Sequence, residues 1–231
     1  MAPLIEVSDN VLKGLDQLKI PYKIKSEVET KPSIKDNSNF IYVPSLNLYV
    51  AKERKLHNKN WFDSHKELQS NKERMLIIPE FIEFLNYLKS SNNQEYLEIY
   101  NDITKVKSPW RAEWLDANFK VKNNKLNINY NHILDENGTL VAHDSKVLDK
   151  KTLMSDKTPG ISLDNFLESN HTSQGLPNTK VKSGDLYYWY PRSDNNSVAR
   201  FGAVGDRAGL DCGRYPSFRY SDLGVRASRR E

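Results

Sequence analysis

The residue types that most often carry chemistry are sparse in this sequence and form none of the familiar catalytic or metal-binding motifs. Of the five histidines, His57 and His65 lie eight residues apart in a charged segment, and His132, His143 and His171 lie in turn-rich regions. None belongs to an HExxH motif, and a single cysteine cannot form a CxxC pair. The sequence therefore predicts no metal site, and the histidines are expected to have surface or hydrogen-bonding roles.

Cys212 is the one potential nucleophile of the chain. Arg207 and Arg214 are near it in sequence and could lower its pKa, but a small buried thiol on the core side of a segment is the favoured interpretation. Phosphate-binding loops of the GxxxxGK[ST] or GxGxxG type and the GxSxG elbow do not occur, and the acidic pairs are no more than chance provides. The sequence thus predicts neither an enzyme nor a cofactor.

The composition limits the classes of protein to which this chain can belong. The chain has 231 residues, of which 38% are hydrophobic and 28% charged, enough for a real core in one large domain or two small ones. Its net charge of +4 is spread among alternating lysines and acids, so nucleic-acid binding is not expected. No 18-residue apolar run and no signal peptide occur, which predicts no transmembrane segment and cytoplasmic synthesis in a reducing compartment.

Two regions are predicted along the chain. Residues 1–37 are expected to be a leader with a short helix capped by Ser8, a strand at 22–25 and a polar linker. The main domain, 38–231, is expected to begin with two short strands around a turn, Phe40–Val43 and 46–50. Residues 61–69 are predicted as a helix or a covered loop.

Helices are predicted in the first half of the main domain and strands in the second. A helix follows Pro79, another covers Gln94–Thr104, and a short one follows Ser162. Hydrophobic residues alternate on either side of Asn123-Asn124, which predicts a hairpin, and strands are predicted at 186–190, 197–201 and 223–227. The aromatic residues at 186–190, and Trp110 and Trp114, are expected mostly in the core, although the two tryptophans could form a stacking platform. The fold class is α+β.

The C-terminal segment differs in composition from the rest. Every lysine lies at or before Lys182 and every asparagine at or before Asn196, whereas eight arginines follow position 183 and three precede it. Of the 21 residues at 202–222, eleven are Gly, Tyr, Ser or Asp. Binding loops favour this mixture, because Tyr gives rigid contact area and Gly or Ser gives adaptability. From the pattern alone, an irregular Gly-rich segment without a partner is an equal alternative.

Two sets of residues are interleaved in this segment. The frame residues, with types suited to a scaffold, are Phe201, Ala203, Arg207, Ala208, Leu210, Cys212, Pro216, Ser217, Ser221, Leu223 and Gly224. The variable positions between them are Gly202, Val204, Gly205, Asp206, Gly209, Asp211, Gly213, Arg214, Tyr215, Phe218, Arg219, Tyr220 and Asp222. Strict alternation at 209–213 predicts that Leu210 and Cys212 point inward, with Gly209, Asp211 and Gly213 outward.

The run SVARFGAVGDRAGLDCGRYPSFRYSDLGVRA resembles the variable region of the variable proteins of diversity-generating retroelements. The resemblance extends upstream through IYVPSLNLYVAKER, IPEFIEFLNYLK, PWRAEWLDANF, TPGISLDNFL and GDLYYWYPRSDNNSVARF, and so covers about residues 38–231. It implies a C-type lectin fold, close to the formylglycine-generating-enzyme branch, with two helices in the first half and antiparallel strands closing at the C-terminus. The variable region would be about 197–227.

The resemblance also implies a cause for the composition. In this family a reverse transcriptase copies a template repeat with errors at adenines, usually in asparagine codons. These changes yield Gly, Asp, Tyr, Phe, Val or Arg but never Lys, Gln, Glu, Met or Trp, and none of those five occurs at 197–227. The implied function is ligand binding, to a protein or cell-surface partner, by a diversified surface in which Tyr215, Phe218 and Tyr220 are aromatic anchors and the glycines leave a shallow concavity. Surface or virion display is compatible with it.

Some features of related proteins are missing. The EPN, QPD and WND motifs of calcium-binding lectins do not occur, and the catalytic branch uses a pair of cysteines where this chain has Cys212 alone. The alternatives are a formylglycine-generating-type enzyme or another oxidase, and a structural virion or surface subunit whose tail packs against neighbouring chains. If the binding hypothesis holds, the variable positions are mostly exposed on one face, and Leu210, Cys212 and Leu223 are buried.

Overall fold

A computed structural model describes residues 17–18, 39–204 and 206–230. The elements below all lie in Asp36–Glu231, the second of two units into which the chain divides. The leader helix and strand predicted within 1–37 lie outside the described residues, apart from positions 17 and 18.

The described part of the second unit is mixed α/β, with four α-helices and an 11-stranded sheet. The helices are α1 Trp61–Ser70, α2 Ile78–Ser90, α3 Gln94–Thr104 and α4 Leu163–Glu168. The strands are β1 Phe40–Val43, β2 Leu48–Lys55, β3 Arg74–Met75, β4 Arg111–Lys122, β5 Lys125–Leu134, β6 Leu140–Val147, β7 Lys157–Ile161, β8 Leu186–Trp189, β9 Ser197–Val204, β10 Arg207–Arg214 and β11 Leu223–Arg229. None of the described helices is long and apolar enough to cross a lipid bilayer.

Local sequence signals account for where these elements begin and turn. The Asn60 side chain accepts a hydrogen bond from the Asp63 N–H at the start of α1, and Ser162 accepts one from Asn165 at the start of α4. Asn123 and Asn124 both have positive φ, 52° and 56°, as a two-residue turn between β4 and β5 requires. The helices predicted after Pro79, over Gln94–Thr104 and after Ser162 are confirmed, as is the hairpin, and the segment 61–69 is a helix rather than a covered loop.

The strand order in the main path of the sheet is β1-β2-β11-β4-β9-β10-β8-β7. The closing strand β11 is antiparallel to β2 and β3 but parallel to β4, and β10 is antiparallel to β9 but parallel to β8. The prediction of antiparallel closing strands is therefore only partly right. Whether distant strands pair in parallel or antiparallel depends on tertiary packing. The alternation of hydrophobic residues within one strand carries no information about it.

The two faces of the central strands have different covers. The inner face of β4, β9 and β10 carries Leu115, Phe201 and Leu210, which pack with the apolar residues of α2, α3 and α4. On the outer face, Trp114, Val198 and Val225 pack with Trp61 and Leu68 of α1. Helix α1 covers only part of this outer face. Other residues must therefore cover the rest of it over β9 and β10.

A buried ion pair holds the closing strand in place. Arg226 of β11 donates to Glu113 of β4 at 3.0 Å and 3.3 Å, and the two side chains are 2% and 4% exposed. The guanidinium also donates to the carbonyls of Ala51, at 2.9 Å, and Lys52 in β2. One side chain thus joins the three adjacent strands β2, β11 and β4, and each of its guanidinium nitrogens donates a hydrogen bond.

We expect Arg226→Met to lower the free energy of unfolding by about 3–5 kcal/mol, because it leaves the Glu113 carboxylate buried and unpaired. Chemical denaturation measures this loss. Lys107→Met is the matched control, since Lys107 pairs with Asp102 while both side chains are well exposed, and it should cost about 1 kcal/mol or less. The double variant Glu113→Gln, Arg226→Met should recover part of the loss, and equal costs for Arg226→Met and Lys107→Met would contradict this assignment.

Candidate ligand-binding face

Strand β10 lies between β9 and β8, so its register is fixed on both sides. Its residues alternate between the two faces of the sheet, and Leu210 and Cys212 are 1% and 0% exposed in the inner core. Gly209 and Asp211 belong to the opposite, outer face, and a register shift between Asp211 and Arg214 interrupts the alternation before Gly213. The predicted alternation at 209–213 is therefore confirmed for the inward residues.

The outer-face residues of the neighbouring strands form rows with those of β10. Gly209 pairs with Gly202 of β9 and with Tyr187 of β8. Asp211 pairs with Arg200 of β9 and with Trp189 of β8. These rows place two glycines side by side and bring one carboxylate next to one guanidinium.

A small cavity of about 40 Å³ lies over the paired glycines. Trp110 and Trp189 form its walls, and Gly202 and Gly209 are in its floor. A Cβ at Gly209 would come within 2.7 Å of the Trp189 ring, and one at Gly202 within 2.9 Å of the Ala112 Cβ. The cavity has room for only a few atoms, and a larger residue at either glycine must displace a neighbour.

Two arginines share the carboxylate of Asp211. Its Oδ2 lies 3.2 Å from Nε of Arg200 and 2.9 Å from an NH2 nitrogen of Arg214, and its Oδ1 accepts from the Gly213 N–H at 3.0 Å. Burial lowers the pKa of Arg200, an effect that the adjacent Asp211 opposes. Asp211 thus stabilises the guanidiniums of Arg200 and Arg214 and has little capacity left for a ligand.

Aromatic rings of the segment between β10 and β11 extend this face. Tyr220 lies 4.7 Å from Trp110 between ring centroids, and its ring is parallel to that of Phe218 at 6.4 Å. The Arg214 guanidinium lies 4.8 Å from the centre of the Phe218 ring. Tyr215 and Tyr220 are 56% and 45% exposed, so their rings are the most accessible large apolar groups of the segment.

The segment is held mainly through its backbone. The Pro216 carbonyl accepts a hydrogen bond from the Trp61 N–H of α1, at 3.0 Å, and the Tyr220 carbonyl accepts one from Asn58 N–H, at 3.1 Å. Among its described side chains, Arg219 forms an exposed ion pair with Asp63 of α1 at 2.7 Å, and Phe218 packs against the outer cluster to which α1 contributes. Because backbone groups are the same for every residue type, these anchors are kept when side chains change.

The structure places the predicted variable positions as follows. Asp206, Tyr215, Arg219 and Tyr220 are exposed; Gly202, Gly213, Arg214, Phe218 and Asp222 are half-buried; Gly209 and Asp211 are buried; and the side chain of Val204 and all of Gly205 lie outside the described residues.

The prediction that the variable positions are mostly exposed is wrong, because four of the eleven described ones are exposed, and two further expectations also fail. Gly209 and Asp211 were expected to face outward in the open, but Trp189 covers the first and two arginines cover the second. The expected concavity between the glycines is formed by Gly202 and Gly209 alone among the described ones, because Gly213 lies in a separate groove beside Arg192 and Tyr215.

Some frame residues also lie outside the interior. Phe201, Ala203, Ala208, Leu210, Cys212, Pro216, Leu223 and Gly224 are buried, as a scaffold requires. Arg207 instead lies on the outer face, with its guanidinium 4.6 Å from the centre of the Tyr187 ring, and Ser217 and Ser221 are exposed. The division into two sets therefore holds for the apolar frame residues and not for these three polar ones.

Sequence reasoning missed three residues of the face, Tyr187, Trp189 and Arg200, and it favoured the core for Trp110, with a stacking platform as the alternative. Only Tyr188 of the aromatic run in β8 is a fully buried core residue, whereas Tyr187 and Trp189 are half-buried on the outer face. Alternation along β8 carried this signal, because residues on either side of a core tyrosine must point the other way.

The structure also corrects the account of the histidines. His65 and His132 come together at the carboxylate of Asp116, and all three are buried. His65 is fully buried, and burial lowers its pKa to about 4, against the opposing effect of Asp116. The expectation of separate surface or hydrogen-bonding roles is therefore wrong for His65, which has no hydrogen bond at either ring nitrogen.

Comparisons of the chain with protein-family models, curated proteins and solved structures found no match. The geometry of the outer face and of the buried cluster is thus the basis for the functional argument.

We expect substitution by asparagine to have very different effects on stability at two nearby positions, one from each set of residues. Cys212→Asn should lower the free energy of unfolding by about 3 kcal/mol, because it forces a larger, polar group into the closed inner core. Tyr215→Asn, at an exposed position, should change it by about 0.5 kcal/mol or less. Urea denaturation of both variants measures the difference, and similar costs at the two positions would refute the division.

Proposed function

We propose that this chain is a ligand-binding display protein whose C-terminal surface is diversified by adenine-directed retroelement mutagenesis. The observation that carries this proposal is the alternation in β10, where Leu210 and Cys212 are in the core while Gly209 and Asp211 lie on the outer face. The inner residues maintain the fold, and the side chains most free to change are the exposed ones of the following segment, Tyr215, Arg219 and Tyr220.

The composition of the segment supports the same mechanism. Lysine, glutamine, glutamate, methionine and tryptophan do not occur at 197–227, and adenine changes in asparagine codons cannot produce them. The tryptophans of the outer face, Trp110 and Trp189, come from outside that range. Two tryptophans that stay fixed, beside positions that change, agree with an origin of those positions in adenine-directed mutagenesis.

The way in which the segment is anchored makes diversification physically tolerable. The hydrogen bonds to Trp61 and Asn58 use carbonyls of the backbone, and β11 is held by the buried Arg226–Glu113 pair outside the diversified set. The scaffold is therefore independent of what the exposed side chains are. Gly202 and Gly209 are the exceptions, because substitutions there must move Ala112 or Trp189.

The chemistry of this copy favours a partner with acidic and aromatic groups. Tyr215, Tyr220 and Arg219 are exposed, with Phe218 and Arg214 half-buried beside them. Tyrosine and arginine are over-represented among the residues that dominate binding energy in interfaces. Asp211 is already engaged by Arg200 and Arg214, so it adds little negative charge to the contact surface.

A C-type lectin fold is part of this proposal. The coarse architecture, mixed α/β with mostly strands and with α2 and α3 in the first half, supports it. The alternative of a formylglycine-generating-type enzyme is disfavoured by the state of Cys212. Burial raises the pKa of this thiol well above its usual value, and Asp211 raises it further, so that little of the nucleophilic thiolate forms at neutral pH.

Sequencing independent copies of the locus and its surroundings tests the proposal directly. We expect a template repeat similar to the codons for 197–227, with differences confined to template adenines and falling at the variable positions. Codons for Leu210, Cys212 and Leu223 should be identical in every copy. Differences scattered over both sets, or the lack of any repeat, would contradict the proposal.

A further inference from the structure

Three side chains from separate elements meet in a buried cluster away from the proposed ligand-binding face. His65 comes from α1, Asp116 from β4 and His132 from β5, and one donor atom of each lies within 4.8 Å of the other two. Their side chains are 0%, 1% and 6% exposed. Two imidazoles and one carboxylate form a donor set that borderline divalent transition metals prefer.

His65 is the member of the cluster that hydrogen bonding leaves unexplained. It is fully buried, and neither of its ring nitrogens has a hydrogen-bond partner among the described residues. Buried polar groups in proteins nearly always have a partner, so an imidazole without one indicates a missing ligand.

The distance from His65 to the carboxylate suits a shared metal ion better than a hydrogen bond. His65 Nε2 lies 3.6 Å from Asp116 Oδ1, too far for direct bonding. Metal–ligand bonds of about 2.0–2.2 Å at a tetrahedral angle separate two ligand atoms by about 3.4 Å. The observed distance is close to that separation.

The other two members of the cluster are held in orientation. The backbone N–H of His132 donates to Asp116 Oδ2 at 3.0 Å, which leaves Oδ1 directed at the two rings. The Trp61 ring lies 4.2 Å from that of His65 and 4.8 Å from that of His132, and its own N–H donates to the Leu115 carbonyl at 2.9 Å. Such outer contacts fix ligand orientation in metal sites.

We propose that His65, Asp116 and His132 bind one divalent transition-metal ion, with Zn²⁺ as the best match. His132 Nδ1 now bonds directly to Asp116 Oδ1, at 2.5 Å, and the metal would replace this bond while the ring proton is carried at Nε2. The set disfavours Mg²⁺ and Ca²⁺, which prefer oxygen ligands throughout. Of the three residues, His132 lines a surface groove of about 600 Å³, together with Gln69 and His143 among others, so this groove is the side nearest to the cluster from which an ion would enter.

Titration of the chelator-treated full chain with ZnCl₂, followed by calorimetry, tests the proposal. We expect one ion per chain with a Kd of about 1 µM or tighter, and a Tm that rises by about 5–10 °C at saturating Zn²⁺. His65→Gln should weaken binding by at least about 100-fold, because it removes one of three ligands. His143→Gln is the matched control, since His143 is exposed in the same groove, and it should bind within about 2-fold of the unsubstituted chain.

A second measurement keeps the test decisive if His65→Gln does not fold. Co²⁺ added to the unsubstituted chain should develop the intense visible absorption of a four- or five-coordinate site, and X-ray absorption of the Zn²⁺ form should show imidazole and oxygen ligands without sulfur. A Co²⁺ spectrum that stays that of the hydrated ion would overturn the proposal. Equal Zn²⁺ affinities of the folded His65→Gln variant and the unsubstituted chain would also overturn it.

Discussion

The position of β10 between β9 and β8 is the constraint on which the rest of this structure depends. Hydrogen bonds on both sides fix its register, antiparallel to one neighbour and parallel to the other. Because side chains alternate along a strand, a shift by one residue would exchange Leu210 and Cys212 with Gly209 and Asp211. The core would then receive a charge, and the outer face would expose a thiol and a leucine. The correct register thus defines both surfaces at once.

The outer face and the buried cluster are joined through α1. Its first residue, Trp61, donates its backbone N–H to the Pro216 carbonyl in the exposed segment, and its ring packs on His65 and His132. An ion bound at the cluster would stabilise the helix on which that segment rests. The metal that we propose would therefore have a structural role, which is to keep the scaffold rigid beneath the exposed side chains of that segment.

Short-range patterns predicted much of this molecule. The apolar stripe after Pro79, the Asn123-Asn124 turn and the inward direction of Leu210 all follow from local periodicity, and the structure confirms them. The long-range features could not be predicted, because they depend on which distant elements become neighbours. The covering of Gly209 by Trp189 requires the parallel β8–β10 pairing, and the histidine cluster requires α1 to pack beside β4 and β5.

A saturation scan of positions 197–227, with protease resistance as the measure of folding, tests the central claim most directly. We expect Tyr215, Arg219 and Tyr220 to accept nearly every residue type, while Leu210 and Cys212 accept only apolar residues of similar size. Broad tolerance at Leu210 and Cys212, or strict limits at Tyr215 and Tyr220, would show that the two sets are not separated as described.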